Sequence, residues 1–461
     1  MNGQTELSAP EPTAAAKIAG PITVHPINPR YFTDGSGKAI YLTGSHWGFE
    51  LQDDAWDVVH TFDFDAYLDF LVNYNHNLVR MWVVEHTRSD VGPPEATAHP
   101  MPYARSNVPG ANDGGNKFDL DRWDEEFFSR LRQRVVAAAE RGIYVSVMLF
   151  QGFSIMGHQR RLGTQRQFGH PFHANNNVNG VDGDLNGEGH LYAIHRRADP
   201  DITARQEAYV RKVIDTVNDL DNVLYEIANE DGHGSVMWQY HMIEHIRSYE
   251  ATKPKQHPVG MTFRAPGGTD AELFCSPADW ISPRGLGKLP SGESASLVDP
   301  AVSDGSKVII LDTDHGSAGT DDPKYPWRSF LRGNNTWVIE PDVIADLSSG
   351  SKYDGIRRAM GDTRAYADKM DLAAMTPSTG AVHCSTGYVL HNPGAEYLVY
   401  QPRNGDFCLD LAAGTFDYEW FDPTTSSVVK TGSATVGVGI AWFSPPFSGP
   451  AVLYLKSKDI K

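Results

Sequence analysis

The chain has 461 residues, 40% of them hydrophobic and 21% charged, the balance of a folded globular protein too long for one compact core. Acidic residues outnumber basic ones by 58 to 40, a net charge of −18. A surface of that sign repels phosphate backbones and argues against a nucleic-acid partner, and no apolar run approaches the roughly 20 residues that span a bilayer.

Residues 1–20 read as a flexible leader: Met1–Lys17 is rich in Ala, Pro and Thr and lacks the apolar centre of a secretory signal. A hairpin-like start follows, Ile22-Thr-Val-His, a turn at Asp34-Gly-Ser-Gly, then Ala39-Ile-Tyr-Leu-Thr. From there short apolar runs alternate with amphipathic stretches, the mark of a parallel α/β arrangement. The pattern predicts strands at Ile40–Thr43, Leu78–Val84, Tyr144–Phe150, Val223–Ala228, Val259–Phe263, Trp280–Ser282, Val308–Leu311 and Thr336–Ile339, the sixth being the weakest signal. Helices are predicted at Phe64–Asn73, Asp121–Arg141, Thr203–Leu220, Met237–Ser248, Tyr325–Leu331 and Tyr353–Leu372, the third announced by Asp199-Pro-Asp. Eight strands interleaved with helices over about 340 residues fit a (β/α)8 TIM barrel with long loops, assigned to residues 21–378. A doubly wound sheet would more often show a Gly-rich phosphate loop after its first strand, and none is present.

Near Thr376 the helical pattern stops. Short alternating runs separated by Gly, Pro and Asn turns follow, such as Tyr397-Leu-Val-Tyr, Phe416-Asp-Tyr-Glu-Trp-Phe and Ala451-Val-Leu-Tyr-Leu, and residues 379–461 read as a small antiparallel β-sandwich domain. Of the three cysteines, Cys384 and Cys408 lie in this part and read either as a disulfide or as two buried thiols. No CxxC or Cys/His cluster suggests structural zinc.

In such a barrel the reactive groups stand at the C-terminal ends of the strands. The fourth strand ends in Asn229-Glu230, and a carboxylate at the mouth of an apolar strand has the raised pKa that a general acid needs. The seventh ends Leu311-Asp312-Thr-Asp314-His315, with alternation placing Asp312 and Asp314 on one face. The second runs Asn77-Leu-Val-Arg80-Met-Trp82-Val-Val-Glu85-His86, and an arginine inside a strand calls for a carboxylate on a neighbouring one.

These residues resemble clan A, the large group of retaining glycoside hydrolases built on a (β/α)8 barrel. More narrowly, His46 in Thr-Gly-Ser-His-Trp, the run from Asn176 to Asp184, Asp312-Thr-Asp-His315 and Trp327-Arg-Ser-Phe-Leu-Arg-Gly resemble a bacterial glycosidase group whose barrel precedes a small β domain labelled collagen-binding. The resemblance implies a secreted or periplasmic enzyme that cleaves a glycosidic bond in a poly- or oligosaccharide. It implies Glu230 as acid/base, Asn229 as its sugar-contacting companion, Arg80 as the residue steadying the nucleophile, and Asp312 as that nucleophile with Asp314 close behind. The clan normally places Glu at the seventh strand, so aspartate is a departure that changes the reach to the anomeric carbon. Glu340, ending the eighth strand, is a third candidate carboxylate.

His46, Trp47, Trp82, Glu85, His86 and His315 lie near strand ends and are expected to line the sugar pocket, with Glu340. The long Gln151–Ala198 loop adds Gln151, His158, His170, His173, Asn175, Asn176 and Asn177 as lid or substrate contacts, with Gln151, His173 and Asn176 foremost. No cofactor is expected; oxygen ligands at Asn179, Asp182 and Asp184 also suit a structural calcium ion. Two rivals stand beside the hydrolase: a metal-dependent hydrolase using His46, His86, Asp312 and His315, and a carbohydrate-binding protein without catalysis.

Overall fold

The computed structural model describes residues 18–157, 163–232, 234–284, 295–314, 321–340, 347, 351–378 and 383–459; the leader up to Lys17, His158 and His315 lie outside them. Eight parallel strands close a barrel in chain order: β1 Thr43–His46, β2 Leu78–Met81, β3 Tyr144–Gln151, β4 Val223–Asn229, β5 Val259–Thr262, β6 Trp280–Ser282, β7 Val308–Asp312 and β8 Asn335–Ile339. β8 returns to β1 with Ile339 opposite His46, which closes the ring. A helix follows each strand: α1 Phe64–Asn73, α2 Glu125–Glu140, α3 Pro200–Val217, α4 Val236–Glu250, α5 Asp270–Phe274, α6 Ala295–Val298, α7 Lys324–Leu331 and α8 Asp354–Lys369.

Local chemistry sets several of these boundaries. Asp63, Asp124 and Asp199 each accept a backbone N–H of the helix they precede, at 2.8–3.2 Å, and Pro200 begins α3 where its missing N–H does no harm. Thr269 and Glu272 form a capping box on α5, a helix the periodicity does not reveal. The helix expected from Asp121 starts four residues later. Asn116–Trp123 instead pairs with Tyr103–Pro109 as a hairpin, and Trp123 stacks on Tyr103 at 5.3 Å. Its alternating apolar residues run directly into the helical stripe of α2, so the two periods merge in the sequence. β1 is also displaced, because Ile40 bridges Phe32 in the entry hairpin and the barrel strand is the polar Thr-Gly-Ser-His that follows.

The barrel interior is layered. Leu42, Leu78, Tyr144, Leu224, Trp280, Val308, Ile310 and Trp337 fill its lower half, and Ile22 and Phe32 of the entry hairpin plug the base. Gly260 makes this possible, since a Cβ there would sit 1.8 Å from the Trp280 ring. Above that floor the inward positions turn polar.

The C-terminal part is an antiparallel β domain: β9 Thr376–Pro377, β10 Val389–Asn392, β11 Glu396–Gln401, β12 Phe407–Leu411, β13 Gly414–Asp422, β14 Ser427–Val436, β15 Gly439–Phe443 and β16 Ala451–Ser457. Six strands form a sheet in the order β9-β10-β11-β16-β13-β14, and β12 pairs with β15. Cys384 and Cys408 are free thiols. Trp327 on α7 and Tyr366 on α8 fasten this domain to the barrel, packing on Tyr400 and Phe421 at 5.4–5.9 Å, while Glu419 takes the Tyr366 hydroxyl at 2.6 Å and the Lys369 ammonium at 2.7 Å. Trp327→Ala empties a fully buried indole site in this seam. It should cost about 3–5 kcal/mol and split thermal unfolding into two calorimetric transitions; a single transition at the wild-type temperature would contradict the seam's role.

Candidate active site

Strand alternation carries Leu78 of β2 into the apolar floor and Arg80 into the layer above it. Arg80 is fully buried. Its Nε donates to Glu226 Oε2 at 2.8 Å, Nη1 to Asp312 Oδ2 at 2.9 Å, and Nη2 to Asn229 Oδ1 at 2.7 Å and to Glu226 Oε1. The Trp82 and Trp337 rings lie 4.9 and 5.3 Å from the guanidinium. Burial pulls the Arg80 pKa down, but the attraction of Glu226 and Asp312 outweighs it, and the net shift is upward.

Asp312, the last residue of β7, is held from three sides. Arg80 takes Oδ2; Oδ1 accepts the Asp314 N–H at 2.9 Å and faces His46 Nε2 at 3.1 Å. Trp82 Nε1–H donates to His46 Nδ1 at 2.9 Å, so Nδ1 is the acceptor and the imidazole proton sits on Nε2, directed at Asp312. Three donors on one carboxylate stabilise its anion. Asp314 lies beside it, Oδ2 4.0 Å from Arg80 Nη1. Burial, then the nearby charges of Glu230 and Asp312, push the Asp314 pKa up to about 8.

Glu230 follows the end of β4 with φ at 43°, a left-handed conformation that turns the chain sharply out of the strand. Burial raises its pKa to about 7, with Asp312 adding to the rise and Arg80 and Arg284 opposing it. The mouth of the barrel thus holds two carboxyls that keep a proton near neutrality and a third whose anion is braced, the separation of protonation states that acid/base chemistry uses.

The other expected residues divide into two sets. Asn229 and Gln151 stand together at adjacent strand ends, with Asn229 Nδ2 3.3 Å from Gln151 Oε1. Glu85 accepts the Gln151 N–H at 2.6 Å, and His86 is bonded to Ser154 at 2.8 Å, its ring 5.7 Å from Trp56. Trp47 is half-buried beside Glu50, which accepts its backbone N–H. These five border the cluster around Arg80.

Glu340 does not: it forms a buried ion pair with Arg357 of α8 at 2.6 Å, and Arg357 lies over Phe70 of α1, so this carboxylate faces the helix layer and the expectation of a pocket residue is corrected. Asn176 and His173 are spent within the loop. Asn176 Nδ2 donates to the Phe168 and His170 carbonyls and Oδ1 accepts from Asn112, while His173 Nδ1 accepts from Asn175 and meets Asn112. The calcium ligands considered above are similarly engaged: Asn179 with Leu120 and Asp121, Asp182 with the Asp184 N–H, and Asp184 with the N–H groups of Glu188 and Gly189. Among the described residues no three His, Cys, Asp or Glu side chains come together as a metal site.

Sequence reasoning missed Glu226, although it is the one charge in the apolar run Val-Leu-Tyr-Glu-Ile-Ala and sits four residues before Glu230. Trp56 was also missed. It packs on Trp82 at 5.8 Å from a connection in which Asp54, Trp56 and Asp57 all have positive φ, a conformation with no signal in composition.

No family model and no curated sequence matches the chain. Solved structures do match its fold. A glycoside hydrolase aligns over 96% of this chain and 98% of its own with a TM-score of 0.56 and 11% identity. A glycoside hydrolase family 5 structure from Bacteroides vulgatus aligns over 96% and 94%, with a TM-score of 0.60 and 12% identity. Another from that organism, provisionally assigned as a glycoside hydrolase, covers 95% of this chain and 82% of its own, at 0.63 and 15%. The chain therefore shares its fold with solved glycoside hydrolases.

Arg80→Leu would take the guanidinium away from the buried Glu226 and Asp312 carboxylates. It should lower stability by about 3–5 kcal/mol in urea titrations, with Glu226→Gln, which keeps an acceptor for the guanidinium, costing clearly less; equal losses would mean that Arg80 serves packing rather than charge.

Proposed function

We propose that the protein is a glycoside hydrolase acting on a poly- or oligosaccharide, with Glu230 as general acid/base and Asp312 as nucleophile in a retaining mechanism. The observation that carries the reading is the pairing at the barrel mouth of a carboxyl with its pKa raised to about 7 and a carboxylate braced by Arg80, His46 and the Asp314 N–H. The shared fold of the solved glycoside hydrolases supports it.

Glu230 gives its proton to the glycosidic oxygen as the bond to the anomeric carbon breaks. Asp312 attacks that carbon from the opposite face, forming a glycosyl ester, and Arg80 and His46 keep its carboxylate ionised and aimed. Glu230, now a carboxylate, takes a proton from water as the water displaces Asp312. Retention requires the two carboxyls to stand ~5–5.5 Å apart, whereas inversion needs ~6.5–9.5 Å. Asp314, titrating close to Glu230 and electrostatically linked to it, holds a proton nearby and limits the build-up of negative charge as Glu230 ionises.

The test is a screen of plant and microbial glycans and aryl glycosides against wild type and Glu230→Ala, reading released sugar. The variant should lose about 10²–10⁴-fold in rate, with partial recovery by azide on an activated aryl substrate; undiminished activity would remove Glu230 from the acid role. The pH profile follows from sign. Because the pKa is raised, the working acid is protonated below about 7 and lost above it, so kcat/KM should fall as pH rises through 7–8. A rate that climbs across that interval would rule out a protonated carboxyl as the acid.

A further inference from the structure

Among the described residues, three side chains at the barrel mouth hold protons with no acceptor. Gln151 is fully buried at the end of β3. Its Oε1 accepts from Asn229 Nδ2 at 3.3 Å and from the Phe153 N–H at 3.2 Å, which orients the amide and leaves Nε2 without an acceptor. His86, also fully buried, has Nδ1 2.8 Å from Ser154 Oγ. That oxygen accepts the Glu85 N–H at 3.1 Å, and when it gives its own proton to Nδ1 the imidazole proton sits on Nε2, which is buried without a partner among the described residues. Burial, with Arg166 and His170 close by, holds the His86 pKa well below its ordinary value, and the ring is neutral. Arg166 has Nε and Nη1 both buried without an acceptor. Its guanidinium lies 5.2 Å from the Trp56 ring and 5.8 Å from Phe153, and the nearby Asp57 carboxylate is occupied by the Ser89 N–H and hydroxyl at 2.8 and 2.6 Å.

The three donors are neighbours. The short turn Gly152–Ile155 holds Ser154, the partner of His86, and Phe153, which touches both Arg166 and the Gln151 amide. Trp56 links His86 and Arg166 to Trp82, which stacks on His46. Asn229, bonded to Gln151, directly precedes Glu230. The donors therefore border the carboxyl cluster.

A sugar hydroxyl both gives and accepts a proton and is served by mixed partners, whereas an oxyanion only accepts. A group of unsatisfied donors, one of them the planar guanidinium fork, matches an oxyanion. It stands out in a chain of net charge −18 and beside three carboxyls, where the surrounding field repels anions. We propose that the cleft takes an anionic sugar, bearing a carboxylate or a sulfate, whose oxyanion is gripped by Arg166, His86 and Gln151. This rests on the hydrolase reading of the same cleft and names its substrate class.

Calorimetric titration of the full chain with glucuronate, galacturonate and galactose 6-sulfate, against glucose and galactose, tests it. The anionic sugar should bind about 10–100-fold tighter than its neutral counterpart; preference for the uronates identifies a carboxylate, and preference for the sulfate a sulfate ester. Arg166→Met should erase the preference without changing neutral-sugar affinity, and Arg166→Lys, which keeps charge but not the fork, should retain part of it. Melting temperatures show whether each variant is folded, and if Arg166→Met is not, Arg166→Lys alone must show the reduced preference. Equal affinity for both classes, absence of any anionic-sugar binding, or a preference that survives in a folded variant overturns the proposal. Binding needs no turnover, so the two readings fail separately. Anion preference with no hydrolysis of any glycan sinks the hydrolase alone, and hydrolysis of neutral glycans with no anion preference sinks the anion site alone.

Discussion

A guanidinium in the middle of a barrel must find partners within a few ångströms or the barrel does not fold around it. Arg80 meets that demand by drawing one residue from each of three strand positions: Glu226 and Asn229 from β4 and Asp312 from β7. It thereby joins β2 to β4 and β7 across the barrel. The floor below is buried and apolar, and the Trp82 and Trp337 rings flank the guanidinium. Trp82 serves a second purpose, since its indole N–H selects the His46 tautomer that donates to Asp312.

The protonation pattern of the mouth follows from distance to that cation. Asp312 and Glu226 lie in contact with it, their oxygens hydrogen-bonded to the guanidinium. Asp314 is at 4.0 Å and Glu230 further out along β4, where burial continues but direct pairing with the guanidinium ends. Desolvation then dominates and both retain protons near neutrality. Arg80 thus pairs directly with two of these carboxylates, while burial sets the raised pKa of the two beyond them.

Much of this was legible in the sequence where a local rule and the global fold agree. Seven of the eight strand runs, the cap signal Asp199-Pro, and the placing of Arg80, Asn229, Glu230 and Asp312 on or beside barrel strands follow from period and position. What stayed hidden depends on contacts between distant residues. Glu340 occupies the same kind of strand end as Asp312, and an ion pair with Arg357, on the helix that follows it, ties it to the helix layer. Asn176 and His173 look like sugar contacts by composition, yet the loop consumes them to satisfy its own carbonyls and amides. Arg166 passed unnoticed among the polar residues of that loop, because what distinguishes it is the absence of an acceptor, which a sequence does not display.

Backbone strain marks the two sides of the cleft. On one side Asp54, Trp56 and Asp57 hold positive φ and present an indole to the mouth; on the other Glu230 does the same with a carboxyl. Such conformations cost about 1–3 kcal/mol each and persist only where packing over-determines them. Around Glu230 the packing is explicit. Gly152 brings the start of the lid loop so close that a Cβ would lie 2.6 Å from the Glu230 carbonyl oxygen and from the Asp231 Cα. Asp231 in turn is buried 2.9 Å from His195, whose ring stacks on Trp238 of α4 at 4.0 Å. The loop that supplies Gly152 and His195 also supplies Arg166, so the segment that packs against Glu230 in its turned conformation also carries the guanidinium proposed to meet an anionic sugar. The groups that hold Glu230 and those proposed to recognise the sugar are then parts of one loop, held by its close packing against the end of β4.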